Sequence, residues 1–194
     1  QKTADPEDAL FPVARWQRVP PGRFFKERQK LQQRIIDAPS RQKSKARLEL
    51  ARFLFAHGYA PEADGVLRAA MAGDPQLHRQ NDIRALQAAI AFLRGDPATA
   101  RTLLSAPEFE TIPEAALWLA ASHAALEDHA KAASFDGKAM SIPASYHGLM
   151  ASAVAVPLAQ SLLASGQTDT AARLLEDASA LNLTRSQKSR IRFL

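Results

Sequence analysis

The chain has 194 residues, of which 46% are hydrophobic and 23% charged, and its net charge is +5. This composition is typical of a folded globular protein and excludes a chain that is disordered throughout. The absence of cysteine excludes disulfides, thiolate metal sites and cysteine nucleophiles. Alanine is abundant, and no stretch alternates β-branched and polar residues as a half-buried strand would. The sequence therefore predicts an all-α protein.

The charge is distributed unevenly along the chain. Basic residues outnumber acidic ones in residues 1–57, the reverse holds in residues 58–184, and the last ten residues are basic again. A nucleic-acid-binding interpretation of the basic stretch 28–47 is open on charge alone. No aromatic or glycine-rich pattern interleaves with those charges, however, as base stacking requires. We therefore expect a solvated helix face and no nucleic-acid partner.

The N-terminal fifth differs in character from the rest of the chain. Residues 1–23 begin polar and then mix Phe11 and Trp16 with prolines and arginines, which predicts an extended or polyproline-like segment. Residues 24–39 predict a helix that ends at Pro39. We expect this helix to cap the helices that follow.

A pattern of two helices around a break recurs four times within residues 40–183. The first helices are predicted over residues 46–57, 82–94, 114–126 and about 144–165. An alanine follows each break residue by five positions. The break residues are Gly58, Gly95, Glu127 and Gly166, and the alanines are Ala63, Ala100, Ala132 and Ala171. Self-similarity at intervals of 32 to 39 residues is the signature of a helical repeat array.

The first copy carries the motif in its most complete form: Gly58, Glu62 and Ala63 before the helix middle, then Ala70, Met71, Asp74 and Pro75 at its end. This motif resembles the tetratricopeptide repeat. The resemblance implies a right-handed α-solenoid of about four helix pairs, and a non-catalytic scaffold that binds a peptide or protein partner. Residues 184–194 are expected to begin a further helix, and the chain reads as a piece of a longer protein.

No constellation of catalytic or metal-binding residues is found. The five histidines lack the spacing of three or four that a helical metal site needs. No serine lies on a strained turn, and no glycine-rich loop could hold a phosphate. We expect no enzyme activity, no cofactor and no metal. The uncharged stretch 148–166 is long enough to span a membrane, but Pro157, Gln160 and its many alanines favour a buried helix of a soluble domain.

In tetratricopeptide arrays the first helix of each pair lines the binding groove, and the resemblance places nine candidate residues there. They are Leu48, Arg52, Phe55, Ala85, Ala89, Phe92, Leu117, Ala121 and Gln160; Val156 and Leu163 share the register of Gln160. The clamp for C-terminal carboxylates is not supported, because only Arg52 and Gln160 are polar. Such a groove would suit an apolar helix or extended segment.

Two alternatives remain open for these residues. They could belong to the core, or Phe11 and Trp16 could fill the groove themselves. Alternative functions are a helical module of a bacterial envelope protein or cell-wall enzyme, and a self-assembling structural module. The composition and lead-in favour a bacterial periplasm or cell envelope, with the cytoplasm still open. The sequence leaves the oligomeric state undetermined.

Overall fold

The computed structural model describes residues 9–17, 19, 22–135, 140–146 and 148–191, with side chains up to residue 181. Every regular element in those ranges is helical, which confirms the all-α prediction. The α-helices are α1 (Val13–Trp16), α2 (Phe24–Asp37), α3 (Lys43–Ala56), α4 (Ala60–Gly73), α5 (Asn81–Leu93), α6 (Pro97–Leu104), α7 (Pro113–Ala125), α8 (His129–Ala133), α9 (Gly148–Ala164) and α10 (Thr168–Ile191).

The chain divides into two compact units, residues 1–94 and 95–194. In the first unit, α3 packs against α1, α2 and α4, and α4 also packs against α5. In the second unit, α7 packs against α6, α8 and α9, and α9 also packs against α8 and α10. From α2 onwards, helices that are adjacent in sequence are therefore neighbours in space within each unit, as expected for stacked helical hairpins.

The predicted break residues have the backbone conformation that ends a helix sharply. Gly58, Gly95, Glu127 and Gly166 have φ values of 83°, 84°, 61° and 75°. In three of these turns the next residue donates its backbone N–H to the carbonyl five positions earlier, as in Tyr59 to Leu54 (3.0 Å). This is the Schellman arrangement, which satisfies the last carbonyls of a helix. A following aspartate can then begin the second helix, as Asp96 does by accepting from Thr99 N at 3.0 Å.

The repeated alanine of each copy lies where two helices meet. All four of these alanines are essentially inaccessible to solvent: Ala63, Ala100, Ala132 and Ala171. A larger side chain there would push the paired helices apart, because close-packed cores have little spare volume. The pattern found in the sequence therefore corresponds to the contacts between helices.

Three segments differ from the sequence-based expectations. Residues 13–16 form one helical turn, because Phe11 and Val13 are buried against α3 and fix the local backbone. Helix α8, the second helix of the third copy, has only five residues and is shorter than its counterparts α4, α6 and α10; the Ser134 hydroxyl donates to the Lys131 carbonyl at its end.

The third difference lies at the C-terminal end of the described residues. Helix α10 is continuous from Thr168 to Ile191, so the segment from residue 184 continues the preceding helix and does not begin a new one. The sequence from residue 168 to 191 contains neither glycine nor proline, so no residue there favours ending the helix.

Helix α2 corresponds to the helix predicted over residues 24–39. It packs against α3, and its Phe24 ring stacks on Phe53 and Tyr59 with ring centroids 5.2 and 4.7 Å away.

Helices of the described residues are all too short or too polar to cross a bilayer.

Candidate interaction surfaces

Most of the residues expected to line a groove are buried. Seven of the nine candidate side chains are at most 8% exposed: Leu48, Phe55, Ala85, Ala89, Phe92, Leu117 and Ala121. Their burial agrees with the core alternative that the sequence left open. The physical reason is that first helices such as α3 and α7 have neighbours on more than one face. The two exceptions, Arg52 and Gln160, retain solvent exposure.

The face of α3 that includes Arg52 and Phe55 is covered by the chain's own N-terminal segment. The Phe11 ring centroid lies 5.4 Å from that of Phe55, and the Trp16 centroid lies 6.2 Å from it. The Gln17 side chain donates a hydrogen bond to the Ala56 carbonyl. Phe11 and Trp16 thus fill this face, as one of the alternatives predicted.

Arg52 joins the N-terminal segment to the start of α5. Its Nη2 atom lies 2.7 Å from Oδ2 of Asp82, and its guanidinium carbon lies 5.6 Å from the centroid of the Trp16 ring. Its Nε atom is buried and has no hydrogen-bond partner among the described residues. Arg52 is therefore stacked and ion-paired, with one donor left unsatisfied.

Helix α9 has one buried face and one exposed apolar face. The buried face is formed by residues such as Met150, Val154, Leu158 and Leu162. On the opposite side Leu149, Val156 and Leu163 are 76%, 47% and 52% exposed. These three residues are seven positions apart, so they follow one line along the helix. We define Leu149, Val156, Gln160 and Leu163 as the α9 face.

Helical spacing predicted three members of the α9 face on one side of the helix, Val156, Gln160 and Leu163, but Leu149 was not among the predicted residues. The seven-residue spacing from Leu149 to Val156 and Leu163 is a signal that could have identified it. The α9 face also carries no formal charge, because none occurs between Lys138 and Asp169. The line from Leu149 to Leu163 is about 21 Å long, because an α-helix rises about 1.5 Å per residue and the two residues are 14 positions apart.

A basic groove runs along the length of α2. It has a volume of about 680 Å³ and is lined by Val19, Arg23, Lys26, Glu27, Gln29, Lys30, Gln33, Arg34 and Asp37. Part of its charge is compensated, since Lys30 pairs with Glu27 at 3.6 Å and Arg34 pairs with Glu49 at 2.9 Å. Exposed pairs of this kind are typical of a solvated helix face.

A buried hydrogen-bond chain links α7 to the segment before α9. The Trp118 indole donates to the Tyr146 hydroxyl at 2.6 Å, and this hydroxyl donates to Oε1 of Glu114 at 2.8 Å. Burial, together with the nearby Glu114 charge, raises the pKa of Tyr146 well above its usual value. Because the phenol stays protonated, it can act as the donor to Glu114.

The histidines do not assemble into a metal centre within the described residues, where no group of three or more His, Asp or Glu side chains has suitable geometry. His123 Nδ1 lies 2.9 Å from Oδ2 of Asp128, and His129 Nδ1 lies 2.9 Å from Oγ of Ser161. Each of these histidines therefore links neighbouring structural elements.

Comparison with known proteins supports the repeat assignment. A family model described as tetratricopeptide repeat matches residues 82–106 and 152–177. These two segments contain nearly all of α5 with α6, and most of α9 with the beginning of α10. No curated protein and no solved structure matches the chain. The family matches and the consecutively packed helices support a tetratricopeptide-like repeat protein. Proteins of this class generally mediate protein–protein interaction and are generally non-catalytic.

Proposed function

We propose that this tetratricopeptide-like repeat protein is a non-catalytic interaction module and that its α9 face binds an apolar segment of a protein partner. The observation that carries the proposal is the exposure of Leu149, Val156 and Leu163 along one line of a helix whose opposite face is buried. Apolar side chains that cluster on a surface often mark interaction sites.

The energetics of the α9 face favour an apolar ligand. Complete burial of an exposed leucine or valine contributes roughly 1.5–3 kcal/mol, and the partly exposed Val156 and Leu163 would contribute part of that. The absence of formal charge means that a charged ligand would be desolvated without an ionic partner. The ligand should therefore present apolar side chains and keep its own charges at the edges.

The seven-residue spacing favours a helical ligand over an extended one. A helix laid along α9 can place its own apolar residues between Leu149, Val156 and Leu163, because paired helices interdigitate with this period. Gln160 lies between Val156 and Leu163 and can exchange hydrogen bonds with a polar group of the ligand. The proposed ligand is thus an amphipathic helix with an apolar stripe about two heptads long.

The test compares two substitutions on the α9 face with one elsewhere in the same unit. The double variant Val156→Asp, Leu163→Asp changes exposed positions and should keep the far-ultraviolet circular dichroism and thermal unfolding of the native chain. Leu175→Asp on α10 is the matched control, since Leu175 is also apolar and exposed. Affinity capture from the source cells should yield partners that the double variant loses and the control retains.

The proposal is contradicted if the folded double variant captures the same partners as the control. Variants of the buried candidates Phe55 and Phe92 would not be informative here, because introducing a charge in the core destabilises the fold itself.

Self-assembly is a second candidate, and the lack of charge on the α9 face favours it. In a two-fold symmetric dimer a face meets its own copy, and a charge-free face does so without like-charge repulsion. Light scattering across a range of protein concentrations distinguishes the candidates. Self-assembly predicts a mass that doubles with concentration in the native chain and in Leu175→Asp, and stays monomeric in the double variant.

A further inference from the structure

We propose that residues 11–17 are an intramolecular ligand of α3 and that an aromatic segment of a protein partner displaces them. We call residues 11–17 the anchor segment, and Arg52, Phe55 and Ala56 the α3 site. This inference concerns the first unit and is independent of the role proposed for the α9 face.

The anchor segment contacts α3 in the way that a short peptide docks on a folded domain. Phe11 and Val13 are buried, and Trp16 packs edge-on against Phe55 with the two ring planes 69° apart. The Gln17 side chain adds one hydrogen bond to the Ala56 carbonyl. Aromatic and apolar anchors combined with polar contacts to the backbone are typical of peptide recognition.

The conformation of the anchor segment depends on these contacts. Its helix, α1, has only four residues, and isolated helices of this length are not stable in water. Gly22, which lies between the anchor segment and α2, has a φ of 79° and open space where a side chain would begin. Gly22 itself therefore makes no side-chain contact that would oppose separation of the anchor segment from α3.

Arg52 indicates which chemistry a displacing ligand should have. The Trp16 ring lies against its guanidinium group, but Nε stays buried without a hydrogen-bond partner among the described residues. An unsatisfied buried donor costs free energy. A ligand that places a ring on the guanidinium and also offers an acceptor to Nε would remove this cost.

The acceptor on that ligand is expected to be neutral. Asp82 already neutralises Arg52 through the 2.7 Å ion pair with Nη2. A second carboxylate at Nε would lie close to Asp82 and be repelled by it. The favoured ligand is therefore an aromatic residue accompanied by a backbone carbonyl or an Asn or Gln amide oxygen.

The tether protects the α3 site from weak competitors. A segment joined by a short linker acts at an effective concentration on the order of millimolar, so a free ligand must compete against it. Disabling the anchors should consequently expose the site and raise its apparent affinity for an added peptide. The ratio of the apparent affinities of the variant and the native chain measures the fraction of native molecules in which the anchor segment is bound to α3.

The first experiment uses the full chain and a synthetic peptide of residues 9–17. The variant Phe11→Ser, Trp16→Ser should bind this peptide at least about tenfold more tightly than the native chain, because its own anchors no longer compete. A peptide with the same two substitutions is the control and should not bind. Equal affinity of both proteins, or no binding by the folded variant, would overturn the proposal.

The second experiment needs no substitution and remains decisive if the variant does not fold. The chain has two tryptophans, Trp16 and Trp118, so labelling with fluorotryptophan gives two fluorine resonances. Excess peptide should shift the Trp16 resonance towards that of solvent-exposed fluorotryptophan and leave Trp118, in the second unit, unchanged. An unaffected Trp16 resonance at several millimolar peptide, above the effective concentration of the tether, would refute exchange.

Discussion

Arg94 and Asp64 form an ion pair in which Nη1 lies 2.6 Å from Oδ2, and this pair connects the end of α5 to α4. The same carboxylate oxygen contacts Arg68 at 2.7 Å, one turn further along α4. Asp64 is among the few charged residues that are largely buried in the described part of the chain. Asp64 therefore pairs with both Arg68 and Arg94 from a position with little access to water.

Asp64→Ala should destabilise the protein more than either arginine substitution. Removing the shared carboxylate eliminates both pairs, and we expect a loss of about 1–2 kcal/mol in the free energy of unfolding. Arg68→Ala is the control, because its partner lies four residues away and its side chain is well exposed, so the loss should be about 0.5 kcal/mol or less. Urea unfolding measures both values. Equal losses would show that the link to Arg94 contributes nothing.

Glu127→Gly should stabilise the protein. Glu127 has a φ of 61°, which crowds the Cβ atom, and glycine avoids this cost of roughly 1 kcal/mol. Gly166→Ala is the opposite test: φ is 75° there, and nothing lies within 4 Å of an added Cβ, so only backbone strain should appear. The midpoint temperature of thermal unfolding should rise for Glu127→Gly and fall for Gly166→Ala. A destabilised Glu127→Gly would contradict the strain argument.

Tyr146→Phe should destabilise the second unit by about 1–3 kcal/mol, since it removes the hydroxyl that accepts from the buried Trp118 indole and donates to Glu114. Denaturant unfolding followed by Trp118 fluorescence measures the loss. The nearby His129→Ala provides a comparison, because it removes a hydrogen bond to Ser161 and leaves the Trp118 indole paired. An unchanged free energy of unfolding in Tyr146→Phe would contradict a stabilising role for this hydrogen-bond chain.

Alkaline pH should reveal the raised pKa of Tyr146. The folded protein keeps this phenol protonated while the unfolded chain ionises near pH 10, so the folded state binds more protons and stability falls as pH increases from there. Native protein and Tyr146→Phe should therefore converge in stability between about pH 10 and 12. Parallel curves over this range would contradict the assignment.

Asp128 should titrate at unusually low pH. The hydrogen bond from His123 lowers the pKa of its carboxyl, and the Lys131 backbone N–H adds to this shift. A lowered pKa means that the contribution to stability is present above the unfolded value and is lost as pH falls through the folded one. Carbon-13 NMR of the Asp128 carboxyl should show a higher pKa in His123→Ala than in the native chain. An unchanged titration would exclude His123 as the cause.

The turns and helix contacts could be predicted from sequence because they depend on local chemistry. Gly58, Gly95 and Gly166 tolerate positive φ, and Ala63 fits where two helices are close, so both features leave a residue-type signal. Glutamate does not favour positive φ, so the residue type of Glu127 does not indicate a turn. The interval between repeats nevertheless places Glu127 at the equivalent turn of the third copy. The pattern of the whole array compensated for one unfavourable residue.

The surface assignments could not be predicted as well, because exposure depends on distant neighbours. Phe55 and Leu117 have the expected helical spacing, but burial by other helices and, for Phe55, by Phe11 decides their environment. The hydrogen bond from Trp118 to Tyr146 spans 28 residues and follows no local rule. Val156 and Leu163 were placed on one side by periodicity, and whether anything covers them is a tertiary property.

Site-specific photo-crosslinking at the α9 face tests the proposed function most directly. A benzophenone amino acid introduced at Val156 should crosslink to one defined protein partner in source cells, and the same group at Leu175 should not. Peptide mapping of the crosslinked product should locate an apolar helical segment of that partner. Absence of any crosslink at Val156, or identical products from both positions, would contradict the account.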